Sequence, residues 1–316
     1  MTAATPSARN KRRIDGVLLL DKPRGLSSNA ALQRAKRLYR ARKAGHTGTL
    51  DPLATGLLPI CFGEATKFAQ ALLDADKTYV AVLRLGATTS TGDAEGEVVA
   101  TRPVTAFPQE LETILRRFVG RIAQVPPRHS ALKRDGRKYY EYARAGVEIA
   151  RHPREVEIRE LELLSWRSPD LELRVRCGKG TYMRALAEDI GAALGCGAHL
   201  IDLSRTGSGG FALADAVTLD DLQQCPEAAL DAALLPVDAL VAGLARLDLE
   251  DNDAIRLAQG QAVVRAGLAD GVVRLYTARG FAGVASVVGG IVRPRRLCAQ
   301  TPSRPSVACG SNSVES

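Results

Sequence analysis

Apolar runs and alternating segments divide the chain into a body that mixes strands and helices and a smaller β-rich end. Residues 16–20 form a continuous apolar run that stops at the turn cluster Asp21-Lys22-Pro23-Arg24-Gly25, which predicts a buried strand. Ser27 or Ser28 then caps a helix reaching about Arg40. Leu32, Ala35 and Leu38 or Tyr39 form its apolar stripe, and Arg34, Lys36, Arg37 and Arg40 leave the remaining surface basic. Residues 57–62 are apolar and expected to be buried, residues 64–73 predict a helix, and residues 77–86 predict a strand. Residues 88–96 read as a turn before a strand near Val98. Leu111, Ile114, Leu115 and Phe118 recur at helical spacing and predict a helix over 107–120.

Further along, residues 156–166 and 171–177 predict strands. The second alternates, with Leu171, Leu173, Val175 and Cys177 on one face and Glu172, Arg174 and Arg176 on the other. Met183, Leu186, Ala187, Ile190 and Leu194 mark a helix, and residues 199–205 a further strand. Thr218 with Asp221 has the spacing of a capping box. After Leu235-Pro236 the texture changes to short β-like runs at 262–264, 272–276 and 284–288, divided by glycines. The expected organisation is a basic arm over 1–13, a large domain over 14–244, a small β-rich domain over 245–297 and a disordered tail over 298–316.

Composition narrows the partners more than the fold. The chain has 316 residues, 46% hydrophobic and 25% charged, which is ordinary for a globular protein with a sizeable core. A formal net charge of +8 favours a polyanionic partner, either nucleic acid or an anionic membrane surface. No apolar run has membrane length, and the first thirteen residues lack the apolar core of a secretory signal. The six cysteines have no metal-binding spacing and are read as reduced thiols of a cytoplasmic protein, with no metal expected.

Candidate chemistry concentrates in Gly45-His46-Thr47-Gly48-Thr49-Leu50-Asp51-Pro52-Leu53-Ala54-Thr55-Gly56. The glycines permit backbone angles that other residues resist, and Pro52 pushes Asp51 out of the helical region. Asp51 is the only acid between Asp21 and Glu64, and it follows a run of cations. Such a carboxylate either works at a basic surface or merely opens an Asp-Pro turn, and local chemistry leaves both open. Residues 130–146 interleave Lys133, Arg134, Arg137 and Lys138 with Tyr139, Tyr140 and Tyr142. They suit either a lobe that holds RNA or a hairpin entering a surface helix whose tyrosines pack inward.

The long glycine-rich motif resembles the active-site motif of the bacterial tRNA pseudouridine synthases that act on uridine 55 of the T loop. Ser130-Ala131-Leu132-Lys133 with Gly136, Tyr140, Arg144 and Gly146 is a second match, and residues 14–235 follow the family throughout. Residues 247–297 resemble its small RNA-binding PUA-like domain more weakly. The resemblance implies an α/β (α+β) fold, with a mixed, largely antiparallel central sheet, flanking helices and an RNA-binding cleft. It implies Asp51 as the catalytic carboxylate, Arg184 as its cationic partner and Tyr79 stacked on the target base, where it takes the C5 proton. Tyr182 and Leu203 would contact the uracil and His46 the opened loop, while Arg34, Arg37, Lys133 and Arg137 would hold RNA backbone.

The implied reaction needs no cofactor, and the implied partner is the T stem-loop of tRNA bound by a monomer. Family members usually have an aspartate where Ser90 stands, which bears on a local turn and not on the chemistry. Read without the resemblance, Arg184 is an exposed helix residue and Asp93 and Glu95 belong to an ordinary turn. Two rivals remain distinguishable. An RNA chaperone would keep its function without Asp51, and a carboxylate hydrolase would need a second catalytic acid.

Overall fold

The computed structural model describes residues 11–105, 108–128, 130, 132–134 and 136–299. The first ten residues of the basic arm, Phe107, Ala131, Asp135 and the tail from residue 300 lie outside the described residues. The chain separates into two compact units, up to Pro236 and from Val237.

The first unit is built on β1 (Gly16–Lys22), β2 (Ala44–His46), β3 (Thr55–Phe62), β4 (Lys77–Leu85), β5 (Gly120–Gln124), β6 (Arg154–Arg167), β7 (Asp170–Cys177) and β8 (Ala198–Ser208). Their order across the sheet is β1-β3-β8-β4-β7-β6-β5, with β2 beside β3 and short strands completing eleven among the described residues. Pairing is antiparallel except for β3 with β8 and β1 with Val217–Thr218, so the sheet is mixed and largely antiparallel. Its helices include α1 (Ser28–Leu38), α2 (Pro108–Arg116), α3 (Met183–Ala193) and α4 (Leu219–Gln224).

Burial explains the strands. β1 and β3 pair along their whole length and bury nearly every side chain, as continuous apolar runs require. β7 buries Leu171, Leu173, Val175 and Cys177. Its other face meets β6 through Arg174–Glu162 at 2.5 Å and Arg176–Glu160 at 2.8 Å. Ser27 caps α1 by accepting the Ala30 amide at 3.1 Å, and Thr218 and Asp221 close the capping box of α4.

Several elements differ from expectation. Residues 64–73 are two helices, a 3-10 turn over Gly63–Lys67 and an α-helix over Ala69–Asp74, because Phe68 leaves helical geometry to bury its ring. The helix expected to reach residue 120 stops at Arg116. Gly120, with φ +98°, redirects the chain into β5, whose short, half-buried sequence shows no alternation strong enough to read. Lys133–Arg134 and Arg137–Lys138 pair as two short antiparallel strands ahead of a helix over Tyr139–Arg144, where Tyr139 packs inward.

Among the described residues the second unit is a five-stranded sheet with one α-helix, Asp251–Ala258, after a 3-10 turn over Val237–Val241. Leu257, Val263, Val273, Leu275, Ala285, Val287 and Val292 form its core. The three β-like runs are strands as expected. Ala245–Asp248, the helix and Ile291–Leu297 are additional, the last hidden by its arginines and by Pro294 beside a register shift.

Candidate active site

Three glycines open the motif differently. Gly48 and Gly56 hold φ values of +94° and +95°, and both close on Arg205. A Cβ on Gly56 would lie 2.5 Å from the Arg205 carbonyl oxygen, and one on Gly48 would lie 3.3 Å from its guanidinium. Gly45 sits in β2 without a left-handed φ and with open space around it, so the expectation of special backbone angles fails there. Asp51 follows in a tight turn, its carbonyl accepting the Ala54 amide at 3.1 Å. The loop is fastened to α1 by Ser28 Oγ, which donates to the Leu50 carbonyl at 2.8 Å and accepts its amide at 2.7 Å.

A cavity of about 310 Å³ opens at Asp51, within the range of small-ligand sites. Tyr79 from β4, Tyr182 and Arg184 from the start of α3, and Leu203 and Arg205 from β8 all line it. The sheet explains this convergence. Across β4 and β8 the register sets Tyr79 opposite Arg205 and Ala81 opposite Leu203. Tyr182 is the N-cap residue of α3, so the helix begins at the cavity wall.

Arg184 is not the exposed helix residue that local sequence suggests. Its side chain is only 7% exposed and pairs with Asp51 at 3.0 Å. Its remaining donors meet the Asp93 carboxylate at 3.5 Å and the Thr91 carbonyl at 3.1 Å. Asp93 is likewise no ordinary turn residue: its side chain is 4% exposed. It accepts the Thr91 hydroxyl at 2.5 Å and the Glu95 amide at 3.1 Å. The guanidinium therefore bridges a buried carboxylate and one that is 43% exposed to the cavity. That arrangement fixes a carboxylate at a pocket mouth, where it can act as a nucleophile or a base.

Four residues at or beside the site have no local sequence signal. Asp93 is one. Arg205 is 1% exposed, and it donates to the carbonyls of Leu57 at 2.7 Å and Gly48 at 3.2 Å. Gln124 at the end of β5 accepts the Tyr182 amide at 3.1 Å and donates to its carbonyl at 3.4 Å. Lys22 is fully buried, with Nζ donating to the carbonyls of Pro23 at 2.9 Å and Leu26 at 2.6 Å. Burial lowers the Lys22 amine to about 8, against the pull of the Asp51 and Glu95 charges. Only the absence of solvent around a lone arginine or lysine distinguishes such residues, and that is a tertiary property.

Burial raises the phenols of Tyr79 and Tyr182; for Tyr79 the adjacent Arg205 charge opposes the rise. The other expected residues lie elsewhere. His46 stands on β2 opposite Ile60, outside the cavity lining, with Nδ1 unpartnered and its basicity lowered first by burial and then by Arg205. Arg34 and Arg37 line a separate groove on α1. Arg137 lies on the hairpin with its guanidinium 4.8 Å from the Tyr142 ring centroid, and Lys133 is paired with Lys138 on the same hairpin. Among the described residues no cluster of His, Cys, Asp and Glu could hold a metal ion.

Comparison with known proteins agrees with this geometry. Residues 36–183 match the N-terminal domain model of the TruB family pseudouridylate synthases. Residues 184–242 match the tRNA pseudouridylate synthase B C-terminal domain, and 245–298 the C-terminal model of pseudouridine synthase II TruB. The chain is 55% identical over 289 residues to tRNA pseudouridine synthase B of Azoarcus sp. (strain BH72), covering 92% of this chain and 96% of that one. It is 57% identical over 290 residues to the protein of the same name from Thiobacillus denitrificans, covering 92% and 97%. Among solved structures, a chain of an H/ACA ribonucleoprotein bound to a substrate RNA containing 2′-deoxyuridine superposes with TM-score 0.68 at 26% identity, covering 89% of this chain and 84% of that one. With this similarity along nearly its whole length, and with Asp51 of the shared motif paired to a buried arginine in a nucleotide-sized cavity, the chain belongs to the TruB family of pseudouridylate synthases.

Proposed function

We propose that the protein isomerises uridine 55 in the T loop of tRNA to pseudouridine. The observation that carries the reading is the Asp51–Arg184 pair facing a cavity walled by Tyr79 and Leu203. In the reaction the bond from ribose C1′ to uracil N1 breaks, the base turns, and C1′ bonds to C5. N1 gains a proton and C5 loses one. Asp51 acts at the sugar, as nucleophile or base, and Arg184 holds it aimed. Tyr79 stacks on the base and receives the C5 proton. Burial raises its phenol pKa, so it accepts that proton only as the phenolate, a form the adjacent Arg205 charge favours.

Tyr182 and Leu203 complete the wall against the uracil, and His46 supports the opened loop. Flipping a nucleotide costs a few kcal/mol, and one stacked base returns about 1–3 kcal/mol, so backbone contacts from Arg34, Arg37, Lys133 and Arg137 contribute the balance. The enzyme works as a cytoplasmic monomer on the T stem-loop. The relatives' name, tRNA pseudouridine synthase B, supports the choice of RNA.

A T-stem-loop transcript incubated with purified protein and no additives tests this. Pseudouridine at the single expected position is the predicted product. Free uracil would indicate a hydrolase, product only with added metal or nucleotide would refute the cofactor-free reaction, and full tRNA-folding activity without any pseudouridine would indicate a chaperone.

A further inference from the structure

Tyr182 stands where a loop becomes a helix. It is the N-cap of α3, in extended geometry with φ −106° and ψ 116°, and its own side chain does not cap the helix. Its carbonyl accepts the Leu186 amide at 3.0 Å, the first bond of α3. Its amide lies ahead of the helix and outside any strand ladder, so regular secondary structure provides no acceptor for it. Gln124 does. Oε1 accepts the Tyr182 amide at 3.1 Å, and Nε2 donates to the Tyr182 carbonyl at 3.4 Å. One carboxamide thus exchanges both bonds with one residue, as a facing strand residue would. Its orientation is set by chemistry, because the oxygen can only accept and the nitrogen can only donate.

Gln124 reaches Tyr182 from the far side of the sheet. It is the last residue of β5, which lies beyond β7 and β6 from the Tyr79 strand, and it stands opposite Arg154 of β6. The side chain is only 1% exposed. A position that merely filled space there would favour an apolar side chain, because a buried amide costs free energy unless both its ends are bonded. The strand leaves stiffly: Pro126 and Pro127 are buried, and Arg151 donates to the Pro126 carbonyl at 3.0 Å. The same segment returns to the other end of Tyr182. Ser130 is buried, and its hydroxyl, without a hydrogen-bond partner of its own, lies beside the Tyr182 phenol. Gln124 and Ser130 therefore bracket the tyrosine, one at its backbone and one at its ring.

We infer that Gln124 is a positioning residue for the reaction: by pairing with the Tyr182 backbone it fixes the ring that walls the cavity against the target base. The inference rests on the uridine reading above and adds to it the residue that keeps this wall from swinging. Tyr182 lines the Asp51 cavity, and its backbone angles lie outside the helix that would otherwise constrain them. Without the carboxamide, rotation about its φ and ψ carries the ring across the cavity mouth. A shift of about 1 Å in a group that orients the reacting atoms costs about 100-fold in rate. Gln124 itself is buried away from the RNA, so its loss leaves binding of the transcript intact and falls on the chemical step.

The test uses the full chain and a T-stem-loop transcript. Gln124→Met keeps the volume of the side chain and removes the carboxamide. Its kcat should fall about 10–100-fold with KM within about threefold of wild type. A double-mutant cycle with Tyr182→Ala separates positioning from general support. With no ring to misplace, the added Gln124→Met change should cost less than about threefold in kcat. An unchanged kcat, a loss confined to KM, or the full loss repeated in the Tyr182→Ala background would overturn the inference. Should Gln124→Met fail to fold, as a melting curve would show, the cycle is read with Gln124→Glu. That variant keeps the shape and the acceptor for the Tyr182 amide and, when ionised, loses the donor, so its kcat loss should likewise vanish beside Tyr182→Ala. A wild-type protein that leaves the transcript unmodified would instead sink the proposed reaction, a readout separate from the cycle.

Discussion

A single guanidinium holds the Asp51 carboxylate in place, and its environment decides how each neighbour should respond to change. Asp51→Asn keeps the shape of the side chain and removes its charge. Turnover should fall at least about 10³-fold while RNA binding survives, checked by product formation and by filter binding on one preparation. Asp93→Asn leaves Arg184 with one buried carboxylate fewer. Removing one partner from a buried pair costs about 3–5 kcal/mol, so the melting temperature should drop along with a kcat loss of about 10–100-fold. Lys22 gives a pH signature. Its amine is lowered to about 8 in the folded chain from an ordinary 10.5, so below pH 8 it is protonated in both states and the full penalty for burying the charge applies. Between about pH 8 and 10.5 the unfolded chain binds more protons, so this group's contribution to stability rises with pH. In Lys22→Met that rise should vanish from a plot of melting temperature against pH; an unaltered plot would contradict the assignment.

At the scale of the elements, the Asp51 loop is shaped by what packs behind it. Gly56 and Gly25 both have left-handed φ values, +95° and +83°, yet their surroundings differ. A Cβ at Gly56 strikes the Arg205 backbone at 2.5 Å, whereas one at Gly25 meets nothing within 4 Å. Gly25→Ala should therefore cost only about 1–2 kcal/mol, while Gly56→Ala adds overpacking and should cost about 2–5 kcal/mol, measured by denaturant unfolding. Equal costs would mean that Arg205 yields. The same principle explains which elements the sequence revealed. β7 could be read because one face is buried and the other carries charge. β5 could not, since Gly120 begins it and its partner β6 supplies the pairing.

The whole molecule has two compact units, each with its own core. Unfolding should depart from a single two-state transition, and Leu275→Ala, which empties part of the smaller core, should lower one transition by about 2–5 kcal/mol and spare the other. Calorimetry separates that outcome from one cooperative shift. The sequence alone determined much of this protein: most of the strand and helix order of the first unit, though not β2 or β5, the β-rich end, and the Asp51 motif. Those features depend on local periodicity, turn chemistry and a long, unusual string of residues. The tertiary structure decided the rest. It brought Asp93 and Arg184 together beside Asp51, buried Arg205 and Lys22 behind the loop, set Gln124 on Tyr182, and moved Arg34 and Arg37 away from the pocket. Charge burial and cross-strand register follow from how distant segments pack, and no window of neighbouring residues encodes them.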